Sequence, residues 1–193
     1  MISLQEIRSS LTGAFLLAKR APDALSAFNL STDGFYRSFY AMLLAAPVFA
    51  VENAFDYRTF DTATPFVPFI LLLCLALWVS WGTYLFVMGL LTRFMGLGAH
   101  YGTLAIVYNW VQFGLILIWL PVTVIAAGIL PPGFGSLLNL IFIIATYAYL
   151  WYILKVTLNT TGLIAAGFAF LEFLVVVLVQ SLFAGWLFTE PLL

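Results

Sequence analysis

Charge is what this sequence has least of. Seven Lys and Arg and eight Asp and Glu are spread over 193 residues, 8% in all, where a soluble domain carries about a quarter. So few charges cannot make a water-facing surface. The signs nearly balance at a net −1, which excludes the clustered basic face that nucleic acid requires. One histidine, His100, and one cysteine, Cys74, leave no disulfide framework and no His/Cys zinc set. No Ser, Cys or His stands in a nucleophile constellation, and Gly96-Leu97-Gly98 is not a phosphate loop. Glu172 has no carboxylate partner for paired acid–base work. The expectation is therefore a non-enzymatic protein with no catalytic, cofactor-binding or metal-binding residue. A secretory signal is missing too, because Glu6 falls early and Lys19-Arg20 close the first segment on the wrong side.

What the sequence does have is apolar length. Hydrophobic residues make up 64% and mean hydropathy is +1.11. Long apolar runs cover about 35–53, 66–91, 101–129, 136–155 and 162–188, each of a length suited to crossing a bilayer. The fold class expected is an all-α membrane protein. Residues 1–30 form a short amphipathic interfacial segment and residues 31–193 a five-span transmembrane domain. The lipid bilayer is then the evident partner, and any protein partner or second copy would be met through helix contacts.

In the N-terminal segment Leu4, Ile7, Leu11, Ala14, Phe15 and Ala18 recur at helical spacing. Gln5, Glu6, Arg8, Ser9, Ser10 and Lys19 fall mainly between them. This predicts a helix lying in the headgroup region with that apolar side toward the acyl chains. Pro22-Asp23 starts a second short piece through Phe28. Ser31-Thr32-Asp33 offers an N-cap to the first span, Pro47 a kink within it, and Arg37 a side chain that can snorkel. Pro65 and Pro68 open the second span, where Trp78, Trp81 and Tyr84 read as packing or interfacial aromatics. Gly96 and Gly98 make a short turn, Pro121 bends the third span, and Pro131-Pro132-Gly133 breaks the chain before a fourth span starting at Ser136.

Orientation follows from the basic residues. With the N-terminus in the cytoplasm, Arg8, Lys19, Arg20, Arg37, Arg93 and Lys155 all fall inside and Arg58 alone falls outside, beside Asp56 and Asp61. The C-terminal Thr189-Glu190-Pro191-Leu192-Leu193 then lies outside. The membrane expected is a bacterial inner membrane.

Polar residues inside the spans form a layer. At about 1.5 Å per residue from the cytoplasmic ends, Asn109 lies roughly 10 Å deep and Glu172 roughly 15 Å. Thr83 and Thr146 come to about 12 and 14 Å by the same measure. Gly102, Ala105, Asn109 and Gln112 share one face of the third span, and Ala165, Ala169, Glu172 and Val176 one face of the fifth. Small residues on both faces predict a close approach of these two helices. Two readings stand. In one, the layer (Glu172, Asn109, Gln112, Thr83, Thr146) is a site, for an ion or proton relay or the floor of a substrate cavity. In the other it is interhelical glue, a protonated or hydrogen-bonded Glu172 meeting Asn109 or Gln112.

Three stretches resemble the Yip/YIF family of five-span membrane proteins, in its bacterial form. They are Gly13-Ala14-Phe15-Leu16-Leu17, Asp33-Gly34-Phe35-Tyr36-Arg37-Ser38-Phe39 at the entry to the first span, and Tyr108-Asn109-Trp110 in the third. The resemblance covers most of the chain. It implies five spans with the N-terminus inside, no enzymatic chemistry, and a membrane-organising or scaffold role like that of trafficking proteins. Eukaryotic relatives are associated with vesicle traffic and Rab-type GTPases, and no catalytic residue carries over to this chain. The alternative is a small transporter or channel subunit using the polar layer around Glu172, Asn109 and Gln112.

Overall fold

The computed structural model describes residues 2–57, 62 and 64–187, and all regular structure among them is helical. Arg58, Asp61 and the C-terminal five residues, on which part of the expected topology rests, lie outside the described residues. The helices are α1 (Leu4–Ala18), α2 (Thr32–Ser38), α3 (Tyr40–Asp56), α4 (Phe66–Phe94), α5 (Tyr101–Gly128), α6 (Pro132–Thr157) and α7 (Gly162–Leu187). Short 3-10 turns occupy Ala24–Ala27 and Gly98–His100. α2 and α3 together make one apolar span, Thr32–Phe55, and among the described residues five spans are long and apolar enough to cross a membrane.

Local chemistry sets the boundaries. The Ser31 hydroxyl accepts from the Gly34 N–H at 3.1 Å and caps α2. The interruption in the first span falls at Phe39, ahead of Pro47, which sits inside the continuous helix α3. There the Ser38 hydroxyl donates to the Phe35 carbonyl at 2.7 Å, competing with the helical backbone bond. α4 outruns its expected end by three residues and stops in a paired cap. Gly96, at φ 74°, donates to Arg93 and Leu97 donates to Thr92, so two carbonyls of the last turn are used. α6 starts at Pro132, four residues earlier than expected, because proline at the first helical position gives up no hydrogen bond.

The spans close into a ring. α3 packs on α4, α4 on α7, α7 on α6, α6 on α5, and α5 back on α3. α5 and α7 therefore stand across the ring, which corrects the expected close approach of the third and fifth spans. The small face of α7 serves α4 instead, where the Tyr84 hydroxyl donates to the Phe168 carbonyl at 3.4 Å. α5 also receives α1 and α2 and has the longest run of buried residues, Leu104 through Val111.

α1 packs on the bundle through a face of small residues that the apolar pattern alone does not mark. Its buried side is Ser10, Gly13, Ala14 and Leu17, packed on α5 and on the Ala24–Ala27 turn. Leu4 and Phe15, assigned to the same apolar face as Ala14, are 85% and 59% exposed. The reason is steric. A Cβ on Gly13 would stand 2.5 Å from the Phe28 ring, so only the small-residue face fits under that ring. The Tyr149 hydroxyl donates to the Ala14 carbonyl at 2.5 Å, and Glu6 meets Arg37 of α2 at 3.3 Å. Arg37 also pairs with Asp33 at 2.6 Å, so it is ion-paired at the end of the bundle.

Candidate functional site

Two polar clusters occupy the layer expected from the sequence, and they are built differently. The first joins α2, α4 and α5. Trp81 Nε1 donates to Asn109 Oδ1 at 2.7 Å, and Asn109 Nδ2 donates to Ser38 Oγ at 2.8 Å. Ser38 passes its own proton to the Phe35 carbonyl, so the chain ends on backbone. Asn109 is fully buried and does not meet Glu172, contrary to one of the pairings expected. Asn109 and Gln112 share a helix face only loosely, and each turns to a different side of the ring.

The second cluster surrounds Glu172. Its Oε2 accepts from the Tyr147 hydroxyl of α6 at 2.7 Å. Its Oε1 accepts from the Tyr108 hydroxyl at 3.3 Å and from Gln112 Nε2 at 3.4 Å, both on α5. Long side chains thus bridge the ring where the backbones do not approach. Lys155 lies toward the ring of Trp151 and Arg37 with Glu6 and Asp33, so neither serves Glu172 as a counter-ion.

Glu172 also lines a cavity of about 450 Å³ at the centre of the ring, walled by residues of all five spans. Thr146 lines it as well, and its buried Oγ1 has no hydrogen-bond partner. Thr83 is half-buried on α4 and is not part of either cluster or of the cavity wall. A second carboxylate, Glu52 of α3, faces the same cavity and accepts from Thr123 at 3.1 Å. Gln112 and Thr123 are three turns apart on α5, so Glu52 lies roughly 15–20 Å along the axis from Glu172. Sequence reasoning missed Glu52 because it falls one residue before the expected end of its span. Tyr108 and Tyr147 were missed as ligands of Glu172, although Tyr108 precedes Gln112 by one helical turn.

No group of three or more His, Cys, Asp or Glu suited to a metal occurs among the described residues. Among the described residues the arrangement is an all-helical bundle, with five spans long and apolar enough to cross a membrane and a mostly apolar cavity lined by two carboxylates. Comparison with protein-family models, curated proteins and solved structures finds no match to this chain.

Proposed function

We propose that this chain is a non-enzymatic integral membrane protein that works as a small transporter or channel subunit, moving a cation or protons through the ring. The supporting observation is the cavity that reaches Glu172 from the level of Glu52. Glue alone calls for polar groups that satisfy one another, as at Asn109. An intramembrane carboxylate beside open volume is the arrangement expected of a pathway. The reading carries with it a bacterial inner membrane, a cytoplasmic N-terminus and an outside C-terminus, supported by the skew of Lys and Arg. The test is flux in proteoliposomes. Wild-type protein should dissipate an imposed proton or cation gradient, and Glu172→Gln should abolish this while remaining folded. Wild-type vesicles as tight as empty ones overturn the reading.

A second reading, a Yip-type membrane-organising protein, is supported by where the resembling stretches lie. Gly13 and Ala14 sit on the docked face of α1, Ser38 on α2, and Tyr108-Asn109-Trp110 in the buried run of α5 that packs against both. This reading expects reconstitution to change vesicle size, with the effect lost on deleting residues 1–30. Unchanged vesicle size overturns it.

A further inference from the structure

Three features of the central cavity bear on what it takes, and they are independent of one another. The first is charge. The wall holds Glu172, whose three hydrogen-bond partners are all neutral, together with Glu52, and no described residue of the wall is Lys, Arg or His. An anion there would meet repulsion from Glu172, and a neutral ligand would leave that carboxylate without use.

The second is the rest of the wall. Trp81, Tyr108, Trp119, Tyr147 and Phe173 supply aromatic surface around the acidic group. Aromatic faces attract cations through the ring quadrupole, and the attraction strengthens when water is absent. The volume, about 450 Å³, falls within the usual range of small-molecule pockets, roughly 300–1,000 Å³.

The third is the way in. Ile143 of α6 and Phe173, Val177 and Gln180 of α7 line the cavity and are also exposed on the outside of the bundle. α6 and α7 are joined by a short turn at Leu158–Thr161, roughly 15 Å along the helices from Tyr147 and Glu172, and these exposed wall residues lie further still from that turn. The opening is thus a lateral one between two spans, at a depth where the surroundings are lipid. A ligand using it must be soluble in the membrane before it meets the carboxylates.

From these we infer that the cavity binds a bulky lipophilic monocation, admitted from the bilayer between α6 and α7 and held by Glu172 with the aromatic wall around it. The carboxylate of Glu172 has room for such a ligand. Its three donors occupy three of about four acceptor positions, and the shortest bond, from Tyr147, fixes its direction. The inference rests on the transport reading above, since it names the substrate class of that same site.

The full-length protein in lipid nanodiscs can be tested with two probes of nearly the same shape and opposite charge, tetraphenylphosphonium and tetraphenylborate, by equilibrium dialysis. Saturable binding is expected for the phosphonium only. Glu172→Gln should weaken it on the order of tenfold to a hundredfold, the range for losing one charge-assisted contact. Val177→Trp, which fills the lateral opening and leaves both acids in place, should reduce binding as well and covers the case in which Glu172→Gln does not fold. Equal binding of both probes, binding of neither, or phosphonium binding untouched by a folded Glu172→Gln overturns the inference; with Glu172→Gln unfolded, unchanged binding by Val177→Trp does so. The two readings separate in proteoliposomes. Phosphonium binding without any flux upholds the inference and overturns transport. Glu172-dependent proton flux without phosphonium binding overturns the inference and leaves transport standing.

Discussion

Asn109 and Glu172 are both buried within the bundle, at similar depth and on helices that face each other across the ring, yet they do opposite things. Asn109 is neutral, uses its oxygen and its nitrogen once each, and hands its hydrogen-bond chain to the backbone through Ser38. No part of Asn109 faces open volume. Glu172 gathers three donors from two helices and still borders a cavity that holds a second acid and an unpartnered threonine hydroxyl. Depth and polarity alone therefore do not separate glue from site. What separates them is whether the polar group closes its own accounts with the protein or leaves capacity facing a space.

The comparison can be broken first at Asn109. Asn109→Leu leaves the Trp81 indole N–H without its acceptor and the Ser38 hydroxyl without its donor. Two lost contacts at a closed buried node should cost about 2–3 kcal/mol of unfolding free energy, a figure that membrane surroundings hold down. Denaturant unfolding in mixed micelles reads this directly, and a loss no larger than that of Glu172→Gln would erase the distinction. Next in size is Gly13→Ala, which pushes a Cβ into the Phe28 ring and should loosen α1 from α5. The cost expected is about 1 kcal/mol, within the overpacking range, seen as faster proteolysis between residues 19 and 31 with the spans intact.

Glu172→Gln should be smaller in stability and larger in function. The amide keeps the shape and can still accept from Tyr147, so unfolding should change by less than about 1 kcal/mol. Flux, by contrast, should vanish. Smallest of all is Leu4→Ser, which the amphipathic pattern alone would rank with Leu11. Leu4 is exposed and outside the packed face of α1, so protease protection of the segment should not change.

Much of this architecture is legible in the sequence because its signals are local. Apolar run lengths mark five spans, Ser31 announces the first cap, and Pro65 and Pro68 mark the entry to the second span, where a missing N–H costs least. The face of α7 bearing Ala165, Ala169 and Glu172 is also legible, since 3.6-residue periodicity fixes which residues share a side. Neighbours are another matter. Periodicity says that Asn109 has a preferred face but not that α2 and α4 will stand before it. The order of the ring depends on packing between residues up to a hundred positions apart, and so does the existence of a cavity at its centre. The packed face of α1 is hidden for a related reason: it is set by the Phe28 ring, and small residues such as Gly13 and Ser10 carry little weight in a hydrophobicity pattern.

The most direct test of the contrast is reagent access at two engineered thiols. Cys74 is the only native cysteine, so Thr146→Cys and Ala105→Cys can each be placed in a Cys74→Ala background. Thr146 lines the cavity, and Ala105 is fully buried one turn from Asn109. With lipophilic, membrane-partitioning cationic and anionic methanethiosulfonates of equal size, the thiol of Thr146→Cys should react and should favour the cation, while that of Ala105→Cys stays inert to both. An inert Thr146→Cys, or one that reacts equally with both charges, would contradict an acidic open site around Glu172.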